Sequence, residues 1–69
     1  MIGDIIKKVR KQLGITQEKL AHDLDISFST INRWENGHTS PSKLAKRRLI
    51  EFCKNRNVDI TIISELEKL

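Results

Sequence analysis

Apolar residues recur three and four positions apart along most of this 69-residue chain, and the stripes are separated by residues that begin or end helices. Ile5 or Ile6, Val9 and Leu13 form the first stripe, with Lys7, Lys8 and Lys11 outside it. That spacing predicts a helix from about Asp4 to Leu13, ended by Gly14. Leu20, Ala21 and Leu24 form a second stripe, and Ile31 and Trp34 a third. Thr16 stands before the second and Ser27 before the third, each able to accept a hydrogen bond from an orphan amide one turn in. Gln17 and Glu18 lie beside the positive end of the second helix dipole. Only a tight Asp25-Ile26 corner fits between these two helices, so they cross steeply. Ala21 is the small residue such a crossing needs, and Ile26 plugs the corner.

Gly37 is placed as a left-handed stop for the third helix, and His38–Ser40 reads as a loop. Ser40-Pro41 then predicts a cap followed by proline at the first position of a fourth helix running to about Lys54. Leu44, Ala45, Leu49 and Phe52 would face inward, with Lys43, Lys46 and Arg47 on the other face. Beyond Asn55 two patterns compete. The β-branched run Val58–Ile63 suits a strand, whereas Ile62, Ile63, Leu66 and Leu69 fit a helical stripe capped by Asp59 or Thr61. A lone strand has no partner here, which favours a short fifth helix. The chain is therefore read as all-α, a compact four- or five-helix bundle, with residues 1–69 as a single domain and a central helix-turn-helix motif at about 17–36.

With Ile31 and Trp34 holding the third helix from beneath, its opposite face carries Ser29, Asn32, Arg33 and Asn36, with Phe28 and Thr30 at the edges. Arg33 and Asn32 are candidates for base reading, because a guanidinium fork matches the two acceptors of guanine and a carboxamide matches the donor and acceptor of adenine. Ser29 is an adaptable third. The Phe28 ring either lies against a thymine methyl or rests on the surface of the second helix.

In these residues the chain resembles the helix-turn-helix family of phage repressors, Cro proteins and related bacterial regulators. The shared features are Arg10 in the first helix, Leu13-Gly14-Ile15-Thr16-Gln17, Glu18-Lys19-Leu20-Ala21, Ile26-Ser27 and Trp34-Glu35-Asn36-Gly37, spanning about Ile5 to Phe52. Asp25 departs from the pattern, since the family usually has a left-handed glycine there; Asp tolerates that conformation at some steric cost. The resemblance implies a lambda-repressor-like DNA-binding fold and a transcriptional regulator, read here as a repressor, on a double-stranded DNA operator. It implies that Gln17 and Asn36 bond phosphates at the two ends of the motif, with Thr30 and Lys43 as further candidates. It implies that Arg10 pairs with Glu35 in a structural ion pair. Members usually dimerise, and Ile60, Ile62, Ile63, Leu66 and Leu69 make residues 59–69 the candidate homodimer surface.

Charge changes the picture mainly through its distribution. The net value is +4, but residues 37–57 hold six bases and one acid, whereas residues 16–36 hold two bases and four acids. Bases flanking the motif are where a duplex backbone would be held. A single cysteine, Cys53, excludes an internal disulfide and is read as a small semi-buried apolar residue. No leader or long apolar run is present, so no membrane partner is expected and the cytoplasm is the expected compartment. His22, His38 and Cys53 show no metal-ligand spacing, Gly3, Gly14 and Gly37 are read as helix-end residues, and Glu18, Asp23 and Glu51 as ordinary exposed acids. No enzyme, cofactor or metal is expected. The alternative is a protein-interaction module on the same fold, such as an antitoxin, and a further one is a fragment whose dimer or effector site lies elsewhere.

Overall fold

A computed structural model describes residues 1–69 as five helices: α1 (Ile2–Leu13), α2 (Gln17–Leu24), α3 (Phe28–Glu35), α4 (Lys43–Asn55) and α5 (Ile60–Lys68). α2 packs on α3, α1 spans α3 and α5, and α5 closes against α4. Fourteen buried apolar residues drawn from all five helices and the α4–α5 turn form one core, and no buried side-chain polar atom lacks a partner.

α1 begins two residues before the expected Asp4, with the Met1 carbonyl taking the amides of Asp4 and Ile5. The earlier start puts Gly3 inside the first turn, and packing explains why. A Cβ built on Gly3 would lie 2.7 Å from the Trp34 carbonyl oxygen and 2.9 Å from that of Glu35. Only glycine lets α1 sit this close to the last turn of α3, so Gly3 is a buried contact residue and not a mere helix end. Gly14, at φ 67°, ends α1 as expected, its amide reaching the last-turn carbonyls.

The α2–α3 corner follows from its caps. Thr16 Oγ1 accepts from the Lys19 amide at 3.0 Å, and Ser27 Oγ from the Thr30 amide at 3.2 Å. Asp25 adopts the left-handed conformation at φ 57°, and the Ile26 amide turns back to the Ala21 carbonyl at 3.0 Å. The Leu24 carbonyl, left open at the end of α2, accepts from Arg48 Nη2 of α4 at 2.7 Å. Leu20, Ala21, Leu24, Ile31 and Trp34 are all buried, and Ile26 is half-buried against them.

α4 starts after Ser42 and not after Ser40. Ser42 offers the same hydroxyl two residues on, accepts from the Ala45 amide at 3.2 Å, and leaves Pro41 half-buried ahead of the helix. Leu44, expected inside, is 65% exposed. It stands five positions from buried Leu49, which at about 100° per residue sets it about 140° away. Cys53 takes the inward place beside Ala45, Leu49 and Phe52, and is fully buried.

Helix wins over strand in the last segment. Asp59 Oδ1 accepts from the Thr61 amide at 2.8 Å, and the Asp59 amide donates to Gln12 Oε1 of α1 at 2.9 Å. Val58, Ile63 and Leu66 enter the core. Ile63 and Leu66 are thus unavailable as the intermolecular surface expected of this stripe, because the chain's own core consumes them. What remains is Ile60 at 80% exposure, Leu69 at 53%, and half-buried Ile62. No helix is long and apolar enough to cross a membrane.

Candidate nucleic-acid interface

α3 divides into two faces. Ile31, Trp34 and Glu35 point into the protein, whereas Ser29, Arg33 and Asn36 are exposed and Thr30 and Asn32 half-buried. Phe28 leads the helix and is 49% exposed. Ser27 Oγ gathers the first-turn hydroxyls, 3.1 Å from Ser29 Oγ and 2.8 Å from Thr30 Oγ1. Lys43, exposed at the first position of α4, lies beyond the loop that leaves α3. Arg33, Lys43 and Arg47 take part in no ion pair, whereas Lys8, Lys54 and Arg56 are committed to Glu65, Glu67 and Asp23.

Beneath this face lies an ion pair. Arg10 Nε donates to Glu35 Oε2 and Arg10 Nη2 to Glu35 Oε1 at 2.7 Å, a two-point contact between α1 and α3. Arg10 Nη1 also donates to the Ile15 carbonyl at 3.3 Å. The Glu35 side chain is 1% exposed and that of Arg10 22%. Burial pushes the Glu35 carboxyl up, but hydrogen bonds from Arg10 and Gln17, with the charges of Arg10 and Lys7, outweigh it and hold the group below its ordinary value. The hydrogen bond to Glu35 raises Arg10 against its own desolvation.

The structure brings together residues that the sequence presents separately. Gln17 Nε2 donates to Glu35 Oε1 at 3.0 Å, Asn32 Nδ2 to Gln17 Oε1 at 3.2 Å, and Asn36 Nδ2 to Asn32 Oδ1 at 3.0 Å. Two expected phosphate ligands and one expected base reader therefore form one line. The four-residue spacing of Asn32 and Asn36 on a helix is the only part of it visible in the sequence.

Asp23 departs from the expectation for a solvated acid. It is not an ordinary exposed acid: its side chain is 8% exposed and contacts Lys19 at 3.2 Å and Arg56 at 3.0 Å. Desolvation pushes its carboxyl up, yet hydrogen bonds from Lys19 and His22 and the charges of Lys19 and Arg56 bring it below its usual value. Arg56 also lies over the Phe52 ring, 4.8 Å from the centroid, so this cluster ties α2 to the end of α4. No three His, Cys, Asp or Glu side chains converge as a metal site, and burial pushes the Cys53 thiol up to about 11.

Residues 6–54 match the Helix-turn-helix family. The chain is 36% identical over 62 residues to an uncharacterized HTH-type transcriptional regulator of Methanothermobacter thermautotrophicus, covering 88% of this chain and 90% of that one. It is 41% identical over 54 residues to the type II methyltransferase M1.ScrFI of Lactococcus lactis subsp. cremoris, covering 74% of this chain but only 14% of that enzyme's length. No solved structure gives a significant match.

Proposed function

We propose, from the premise that this chain belongs to the helix-turn-helix family, that it is a DNA-binding transcriptional regulator, a repressor that occupies an operator with α3 in the major groove. What carries this is the division of α3: one face is locked by Ile31, Trp34 and the Arg10–Glu35 pair, and the other presents Ser29, Asn32, Arg33 and Asn36 outward. Arg33 and Asn32 read base edges, Ser29 adapts to either partner, and Phe28 meets a thymine methyl. Gln17, Thr30, Asn36 and Lys43 hold phosphates around them, which fixes register without carrying sequence information. The likeness to the Methanothermobacter regulator supports the regulatory role. Catalysis is no part of the proposal, since the methyltransferase likeness touches 14% of that enzyme.

Residues 1–69 act here as a single DNA-binding domain in the cytoplasm. One module buries limited duplex surface, so two copies read half-sites about 34–36 Å apart, meeting through Ile60, Ile62 and Leu69. Two variants test the groove assignment. Arg33→Ala should cost about 1–3 kcal/mol on the preferred operator and relax discrimination at one base pair. Lys43→Ala should instead weaken binding to all sequences alike and flatten the slope of log affinity against log salt by about 0.9. Full discrimination by Arg33→Ala in a competition assay refutes the groove assignment. Binding to a partner protein with little salt dependence would favour the interaction module instead.

A further inference from the structure

In the line of side chains that leads from the buried ion pair to the outer face of α3, every donor points toward Glu35. Gln17, Asn32 and Asn36 each give an N–H inward, and the oxygens of Gln17 and Asn32 each accept from the next amide out. A primary amide can be turned end for end with almost no change of shape, so nothing within Asn32 decides which of its atoms meets which neighbour. An ionised carboxylate does decide, because it only accepts. Turning Gln17 around would set its oxygen against Glu35, acceptor against acceptor, at a carboxylate whose side chain is 1% exposed. With Gln17 held, its oxygen is the atom that faces Asn32, at 3.2 Å, and the Asn32 oxygen in turn is the atom that faces Asn36, at 3.0 Å.

We propose that the Glu35 carboxylate, acting through Gln17, sets the donor and acceptor directions of Asn32 and Asn36, so that Glu35 and Gln17 are positioning residues for base reading. This rests on α3 being the groove helix proposed above. A carboxamide has two N–H donors and two oxygen lone pairs, and the line takes one of each from Asn32. One donor and one acceptor remain, the pair that adenine N7 and N6 require. The amide is also held from both sides before DNA arrives, which reduces the side-chain freedom lost on binding. Gln17 keeps one N–H for a phosphate.

The test uses the whole chain, 15N-labelled, and two variants. Gln17→Met cuts the line but leaves Arg10 and Glu35 paired; Arg10→Met/Glu35→Met removes the anchor without stranding a buried charge. In the free protein both should move the Asn32 and Asn36 side-chain amide signals toward those of solvated amides, while backbone signals of the core residues Leu20 and Leu49 stay in place. On DNA, discrimination should fall about fivefold or more at the base pair whose recognition Asn32→Ala abolishes, the lower end of what one two-point base contact supplies. Discrimination at the base pair sensitive to Arg33→Ala should hold, which a general loss of structure would not allow. Gln17→Met should in addition weaken all sequences alike through its lost phosphate contact. Unchanged Asn32 amide signals in Gln17→Met overturn the proposal whatever the DNA result. Moved signals with unchanged discrimination at the Asn32 base pair overturn the positioning role. A wild-type protein without sequence preference defeats the groove assignment and removes the positioning role with it, and the amide signals then judge the line by itself.

Discussion

Arg10 and Glu35 are bonded to each other, yet replacing them should not cost the same. Glu35 is 1% exposed at the side chain and Arg10 22%, so the two leave different partners behind. Arg10→Met strands a buried carboxylate whose one remaining side-chain donor is Gln17 at 3.0 Å. Breaking a buried pair costs about 3–5 kcal/mol, and the surviving Gln17 bond puts this case near the lower end. Glu35→Gln leaves a guanidinium that reaches solvent and keeps its bond to the Ile15 carbonyl, a loss of about 1–2 kcal/mol. At roughly 4–8 °C per kcal/mol for a domain of this size, Arg10→Met should lower Tm by about 12–24 °C, and Glu35→Gln by about 4–16 °C. Arg10→Met/Glu35→Met strands no charge and should lose less than the two single Met variants together, with a coupling energy of at least about 1 kcal/mol in urea denaturation. The sign with pH follows from Glu35. Its folded value lies below the ordinary 4.5, so the pair's contribution is complete above that pH and is lost as acid carries the group through its depressed value. The Arg10→Met penalty should therefore be full at pH 7 and shrink in acid. Strict additivity at pH 7, or a larger penalty for Glu35→Gln than for Arg10→Met, would refute the reasoning.

Gly3→Ala should destabilise although alanine is the better helix former: overpacking against the Trp34 and Glu35 carbonyls costs about 1–3 kcal/mol and exceeds the propensity gain of up to about 1, as thermal denaturation would show. Cys53, whose thiol moves from 9.0 to about 11 on burial, should support stability up to pH 9 and withdraw on the order of 2 kcal/mol as pH rises toward 11. That alkaline loss should be missing from Cys53→Ala when both proteins are unfolded in urea at pH 8 and pH 10.5. Ile60→Lys should leave Tm almost unchanged, since the residue is 80% exposed, but should shift sedimentation toward monomer and weaken a two-half-site operator more than a single half-site.

The α2–α3 corner was legible because everything that defines it is local. Thr16, Ala21, Asp25, Ser27 and the Ile31–Trp34 spacing lie within a span of 19 residues, and each acts on its own turn. The misreadings arose where distant segments decide. Gly3 reads as a helix end until the last turn of α3 arrives against it. Asp23 reads as a solvated acid because its partner Arg56 is 33 positions away. Ser40 and Ser42 offer the same cap, and only packing chooses between them. Leu44 reads as an inward residue because it is apolar, although its helical phase opposes Leu49. Among the interface residues, the outward positions of Ser29, Arg33 and Asn36 follow from helical phase. The direction of the Gln17, Asn32 and Asn36 amides does not, since it depends on a carboxylate that enters from the opposite face.

The bond from the Asp59 amide to Gln12 Oε1 closes a sequence separation of 47 residues, far longer than any closure within the α2–α3 corner. Loop closure costs only about 0.6 kcal/mol more per doubling of length, so joining the two ends is roughly 1–2 kcal/mol harder than forming that corner. The order of assembly follows: the corner can form early from contacts close in sequence, and docking of α5 on α1 comes late. Stability gained in the final docking mainly slows unfolding and leaves the folding rate almost untouched. The last helix is thus a kinetic latch on a helix-turn-helix that can assemble before it.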